Sequence, residues 1–258
     1  MEACLKIGNH LLTGEQLVSS LVRYKLLESL IGHVVLDDVL PQVRLTQEEV
    51  VRALTGSAQM PEDFDQFLVQ WCESKGVSPV YVKTVVLRDL QVRKLKRLLF
   101  ADRIEAEFLR RKQDLDQIGF RRIKVTDLAL AEELYFQIRD DGADFAVLAQ
   151  QYSQDFERHT GGLVGPVRFS TLPDEIASLF RSGQPGEVYS PVQVQGSFWI
   201  VRPEQFIFAR LNDSVRSELI EHLFMEWLRS QIQLVKSLPN GVQVQGILSH
   251  ATTKGEFQ

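Results

Sequence analysis

Residues 144–165 read Asp144-Phe-Ala-Val-Leu-Ala-Gln-Gln-Tyr-Ser-Gln-Asp-Phe-Glu-Arg-His-Thr-Gly-Gly-Leu-Val-Gly165. The opening Asp144-Phe-Ala-Val-Leu-Ala149 predicts a short helix running to Tyr152-Ser153. Gly161-Gly162 and Gly165-Pro166 then mark turns. Toward the N-terminus, Phe120–Val125 is a strand candidate with Phe120, Ile123 and Val125 apolar. Thr126-Asp127 caps a helix carrying Leu128, Leu130, Leu134 and Ile138, ended near Gly142. Toward the C-terminus, Pro173 begins another short helix, and strands follow at Val188–Val194 and Phe198–Val201, separated near Gly196. The result is an α+β module of order β-α-α-β-α-β-β, about 90 residues long.

The N-terminal half carries helical spacing instead. Thr13-Gly-Glu-Gln16 and Thr46-Gln-Glu-Glu49 fit capping boxes. Leu17, Val18, Leu21, Leu27, Leu30 and Ile31 recur at helical intervals, and Gly32 ends or weakens that helix. An apolar segment, Val34–Val39, stops before Pro41. The second helix closes at Gly56. Pro61 is read as the first residue of a third, stopped by Gly76, and Ser78-Pro79 opens a fourth. From Pro79 to Ile118 there is no glycine or proline, and Asp102-Arg-Ile-Glu105 offers a fresh helix start. A last amphipathic helix runs from about Asn212 to Ser237, followed by a polar tail from Pro239-Asn-Gly241 that reads as mobile. Its broad apolar face predicts that it folds back on the N-terminal helices. The expected organisation is a helical domain over 1–118, the α+β module over 119–208, a returning helix over 209–240 and a mobile tail over 241–258.

Of the 258 residues, 44% are hydrophobic and 24% charged, which excludes a chain disordered throughout. The net charge of -5 gives no global reason to bind nucleic acid. The locally basic stretch Arg88–Lys112 is interleaved with Asp89, Asp102, Glu105 and Glu107 and reads as a solvated helix face. Two cysteines, Cys4 and Cys72, and five scattered histidines carry no metal spacing. Gly161-Gly-Leu-Val-Gly165 lacks the Lys-Ser/Thr of a phosphate loop. No metal and no cofactor are therefore expected. The N-terminus shows no signal-peptide pattern and no apolar run reaches the ~18 residues of a membrane span, so a cytoplasmic protein without membrane insertion is expected.

Five pieces of the module stand in one order: Ala131-Glu-Glu-Leu134, Asp144–Ala149, Tyr152-Ser-Gln-Asp155, Gly161–Gly165, and Pro185-Gly-Glu-Val188 running into Ser190-Pro-Val192. Together they resemble the parvulin (rotamase, PpiC-type) family of peptidyl-prolyl cis-trans isomerases. The flanking helices look like the chaperone domain of SurA-type and PrsA-type folding factors. The resemblance implies a parvulin-like module inserted in a mainly helical chaperone-like domain, acting on X–Pro bonds of unfolded or proline-containing polypeptide clients. The alternatives are a non-catalytic chaperone or peptide-binding module, and an adaptor for an export or maturation component.

The resemblance also implies positions. Leu172 and Ile176 correspond to the proline pocket, and Asp155 to the acidic-or-thiol position that polarises the bond being twisted. The family usually carries a histidine in the first strand and another in the last. Here the first position falls on Arg122 or Arg121 and the second on Trp199 or Phe198. Asp155 is thus the candidate catalytic residue, and Leu172, Ile176, Arg122, Trp199 and Phe198 are the candidate substrate-binding residues. Arg122 is placed to pair with Asp155, and Trp199 to wall the pocket. His159, in the loop before Gly161, is expected to be exposed.

Overall fold

The structure, a computed structural model, describes residues 3–239 and residue 242; apart from that residue, the tail expected over 241–258 lies outside the described residues. The chain divides into two compact units, Met1–Ile104 with Ser217–Gln258, and Glu105–Arg216.

The first unit begins with a hairpin that the sequence reading did not contain: β1 (Ala3–Ile7) pairs antiparallel with β2 (His10–Thr13). Helix α1 (Gly14–Arg23) follows. Its capping box is formed: the Thr13 hydroxyl accepts from the Gln16 N–H at 3.3 Å, and Gln16 Oε1 accepts from the Thr13 N–H at 2.9 Å. α1 stops at Arg23, and α2 (Leu27–Val39) runs through Gly32 without interruption. Of the two expectations for Gly32, that it ends a helix is corrected. A Cβ at residue 32 would sit 3.3 Å from Ile232 Cδ1 and 3.6 Å from Leu228 Cδ2. Glycine lets two helices approach closely there, at a cost in helix propensity. The partner is α11 (Asp213–Ser237), whose Leu228, Ile232 and Val235 pack on Leu27, Ile31 and Val35.

α3 (Gln47–Thr55) starts at the Thr46–Glu49 box and ends at Gly56. α4 (Phe64–Lys75) starts three residues later than Pro61, because the Asp63 carboxylate accepts from the Gln66 N–H at 2.9 Å and fixes the cap there. The run without glycine or proline is helical almost throughout. α5 (Pro79–Tyr81) passes through a π-helical stretch, Val82–Val86, into α6 (Leu87–Phe100). After a 3-10 turn, Ala101–Arg103, α7 (Ile104–Leu115) follows. The basic face of α6 is tied to acids of its own unit: Arg88 to Asp37 at 2.8 Å, Lys94 to Glu49 at 2.7 Å, and Lys96 to Glu221. Among the described residues, no helix is long and apolar enough to cross a membrane.

The second unit holds the β-α-α-β-α-β-β order. β3 (Gln117–Val125) leads to α8 (Leu128–Arg139) and α9 (Phe145–Tyr152). Then come β4 (Leu163–Arg168), α10 (Asp174–Ser182), β5 (Tyr189–Val194) and β6 (Ser197–Ile207). The sheet order is β4-β3-β6-β5, and every neighbouring pair is antiparallel. Strand alternation gives the sheet two buried faces. One carries Ile118, Phe120, Trp199 and Val201 under Ile176, Ala177 and Phe180 of α10. The other carries Ile123, Val125 and Ile200 under Leu134 and Ile138 of α8 and Phe145 and Leu148 of α9.

β3 and β6 are longer than expected. Gly119 does not end a strand; the register shifts between Gly119 and Phe120, and Pro203 stands opposite Phe120 at that bulge. A proline lacks the N–H for a ladder bond and is tolerated at such an irregularity. The units divide at 104/105 and 216/217, where the sequence reading put 118/119 and 208/209. Asp116 accounts for the extension on both sides. Its carboxylate accepts from the Ala209 N–H at 2.7 Å and faces Lys112 of α7 at 3.2 Å, while its carbonyl accepts from the Phe169 N–H at 3.0 Å.

Candidate active site

The site is built around one residue of β3. The backbone around Arg122 is fixed at Arg122 itself and at Lys124, two residues on. Its N–H donates to the Gly162 carbonyl at 2.8 Å. At Lys124 the N–H donates to Ser153 Oγ at 3.1 Å, and the carbonyl accepts from the Gln154 N–H at 2.9 Å. Ser153 and Gln154 therefore lay the end of α9 along the last residues of β3. This explains locally why Tyr-Ser-Gln-Asp delivers Asp155 to Arg122.

Arg122 and Trp199 share a face of the sheet. The register pairs Arg122 with Val201 and Lys124 with Trp199, so Arg122 and Trp199 are diagonal neighbours. The guanidinium carbon lies 4.3 Å from the indole centre, a cation–π stack. Nη2 lies 2.5 Å from Asp155 Oδ2 and 3.1 Å from Glu157 Oε2. Lys124 Nζ stands 3.9 Å from the same Asp155 oxygen. Two cations thus face two carboxylates, and the Asp155 side chain caps no helix. Arg121, the other candidate for the first-strand position, is engaged elsewhere: its Nη1 donates to the Gly161 carbonyl at 2.7 Å and its Nε faces Glu204 at 3.2 Å.

The apolar residues separate. Leu172 is half-buried and packs against the cluster that contains Trp199. Ile176 belongs to the same cluster with no exposed surface, so in this conformation its side chain offers nothing to a ligand. Its expected part in lining a pocket is corrected to core packing. Phe198 is corrected too: one position along β6 from Trp199, it packs on the opposite face, against the cluster of Ile123 and Leu134. Trp199 is 9% exposed and the Arg122 side chain 12%, so the expected notch is covered by the protein's own guanidinium. An open cavity of about 690 Å³ lies elsewhere in this unit, lined by Phe169, Phe180, Pro185, Phe206 and Phe208 among others. Gln117 also lines it, five residues from Arg122 and so about 17 Å away along β3. His159 is exposed, its ring 5.7 Å from the exposed Phe156.

Glu157 and Lys124 escaped the sequence reading. The signal for Glu157 was its spacing of two from Asp155, and for Lys124 its spacing of two from Arg122 along a strand. Among the described residues, no group of three or more histidine, cysteine, aspartate or glutamate side chains is arranged to hold a metal ion.

The Rotamase family model, a PPIC-type PPIASE domain, matches residues 122–205. No curated protein matches. Among solved structures, a PpiC-type peptidyl-prolyl cis-trans isomerase domain is 25% identical, covering 39% of this chain and 99% of its own, with a TM-score of 0.37. The peptidylprolyl isomerase PrsA from Bacillus cereus is 17% identical over 94% of this chain and 95% of its own, with a TM-score of 0.46. A structure of the SurA-like chaperones PEB4 and Cj1289 of Campylobacter jejuni is 13% identical over 94% of this chain and 98% of its own, with a TM-score of 0.37. The matched segment opens on Arg122 and spans Asp155, the double glycine, Leu172 and Trp199, and with it residues 122–205 of this chain are a PpiC-type rotamase domain.

Proposed function

We propose that this protein is a peptidyl-prolyl cis-trans isomerase and folding factor acting on X–Pro bonds of polypeptide clients. The observation that carries the reading is the rotamase match over residues 122–205, and the Arg122–Asp155–Trp199 cluster within it supports the reading. The chemistry asked of such a site is modest. Rotation about a peptide bond faces a barrier of about 18–20 kcal/mol because the amide must lose its resonance. No covalent bond changes, and the twisted bond is less polar than the planar one. An acceleration of ~10⁵-fold requires about 7 kcal/mol of preference for the twisted form. Leu172 and the Trp199 ring supply apolar surface for a prolyl ring once Arg122 moves aside. Asp155 supplies a carboxylate held beside that surface by Arg122 and Lys124.

A second reading has an observation of its own in its favour. Arg122 lies over Trp199 and is already bound by two carboxylates, which is an arrangement for a client-holding module without turnover. Refolding of a client whose slow phase is limited by an X–Pro bond separates the two. The isomerase shortens that phase in proportion to its concentration, and Asp155→Ala removes the effect. A holding module leaves the phase unchanged and still suppresses aggregation. The cytoplasmic setting is part of the proposal. It rests on Cys4, exposed, and Cys72, buried, being free thiols, and on cell fractionation as its test. A partner from an export or maturation pathway likewise awaits co-purification.

A further inference from the structure

Two N–H donors in the site have no acceptor. Arg122 Nε and Trp199 Nε1 are both shielded from solvent, and neither has a hydrogen-bond partner among the described residues. The guanidinium spends Nη2 on Asp155 and Glu157, which leaves Nε over. The indole, nine-tenths buried, has only this one donor and no acceptor of its own. A buried donor left unmade is costly, and the large majority of such groups in folded proteins are satisfied. Two of them meet here in one stacked pair, within the segment that defines the rotamase match.

We infer that Arg122 Nε–H and Trp199 Nε1–H are the backbone-recognition groups of this site, held ready for a carbonyl oxygen of a bound client peptide. A carbonyl oxygen has two lone pairs and can accept from both. The proline of an X–Pro bond brings no N–H, so the carbonyls on either side of it are the polar handles a proline-reading site has available. When a client enters, the guanidinium slides off the indole, which opens both N–H groups, each lying in the plane of its own ring or guanidinium, to a carbonyl oxygen at their edges. Arg122 and Trp199 stand at the first-strand and last-strand positions of the module, so the recognition is specific to this pair of side chains. The inference rests on the proposed function, because it requires that a prolyl peptide binds at all.

The test uses the full chain labelled with ¹⁵N at its three tryptophans, which gives three indole signals. Trp199→Phe identifies the signal of Trp199. A capped Ala-Leu-Pro-Phe tetrapeptide is added while indole and backbone amide signals are followed. The Trp199 indole proton is expected to move downfield as it gains an acceptor, while the Trp71 and Trp227 signals stay in place. Trp199→Phe keeps a ring but loses the donor, and is expected to weaken peptide binding roughly 2–10-fold, the worth of one net hydrogen bond. Leu172→Ala is expected to weaken binding while leaving the downfield shift intact at saturation. If backbone amides around Leu172 respond to the peptide and the Trp199 indole signal does not, the inference is wrong and peptide binding stands. If no signal responds, the binding reading falls and this inference with it.

Discussion

Replacing Gly162 by alanine isolates what the double glycine contributes. Residue 162 has φ +77°, a left-handed conformation that costs an L-residue about 1–2 kcal/mol. The added Cβ would also lie under 3.0 Å from the Arg122 carbonyl oxygen, a separation real Cβ atoms essentially never show, and 3.1 Å from the Ala149 Cβ. Neither neighbour is the free end of a flexible side chain. Relief must come from moving β3 or α9, at the roughly 1–3 kcal/mol typical of overpacking. The Gly162 carbonyl would also lose its 2.8 Å bond from the Arg122 N–H, worth about 0.5–1.5 kcal/mol. Summed, Gly162→Ala should destabilise the sheet unit by about 2.5–6.5 kcal/mol, a fall in Tm of roughly 5–26 °C at 2–4 °C per kcal/mol. Gly186→Ala provides the control. It has φ +87° with nothing within 4 Å of the added Cβ, so only the conformational cost of about 1–2 kcal/mol applies. Differential scanning calorimetry on the two variants decides the matter. Equal, small losses would refute the claim that the double glycine is there to let the loop lie directly on Arg122.

Other perturbations have definite outcomes. Arg122→Met should cost about 1–3 kcal/mol, because two close carboxylates lose their shared cation, and should red-shift the tryptophan emission as the Trp199 ring is uncovered; urea titration and fluorescence check both. Burial and the 2.7 Å hydrogen bond to Glu187 push the Tyr189 hydroxyl up to about 12. The folded value lies above the unfolded one, so this contribution to stability is complete below about pH 10 and is lost as pH rises toward 12. Tyr189→Phe should flatten the alkaline part of the stability profile, and ultraviolet titration should show one tyrosine ionising late. Gly32→Leu should destabilise the helical unit by about 1–3 kcal/mol by driving α2 off Leu228 and Ile232, which thermal unfolding measures.

Much of the rotamase unit could be read from the chain because its punctuation is local. Asp127 and Asp144 cap the helices they precede, and the Tyr-Ser-Gln-Asp turn is closed by bonds to one strand residue. What escaped reading was set by tertiary contact. Gly32 has the local appearance of a stop, and only α11 shows why it is a glycine. The strand extension past Gly119 and Pro203 depends on two irregularities meeting across β3 and β6. Neither residue shows that alone. The hairpin Ala3–Thr13 has a turn at Gly8-Asn9 flanked by short, weakly alternating runs, too little for a strand signal. In the site, the resemblance pointed to Arg122 or Arg121 and to Trp199 or Phe198 where the family carries a histidine pair. It did not show that Ile176 would be sealed, that Phe198 would turn to the other face, or that the guanidinium would cover the ring.

Isomerase activity is read most directly from the rate at which a short X–Pro peptide exchanges between cis and trans in the presence of the full chain. Two-dimensional exchange NMR on a capped Ala-Leu-Pro-Phe peptide should show a rate rising linearly with protein concentration, and no rise with Leu172→Trp, which fills the apolar surface beside Trp199. An exchange rate unchanged at protein concentrations comparable to the peptide would contradict the isomerase reading.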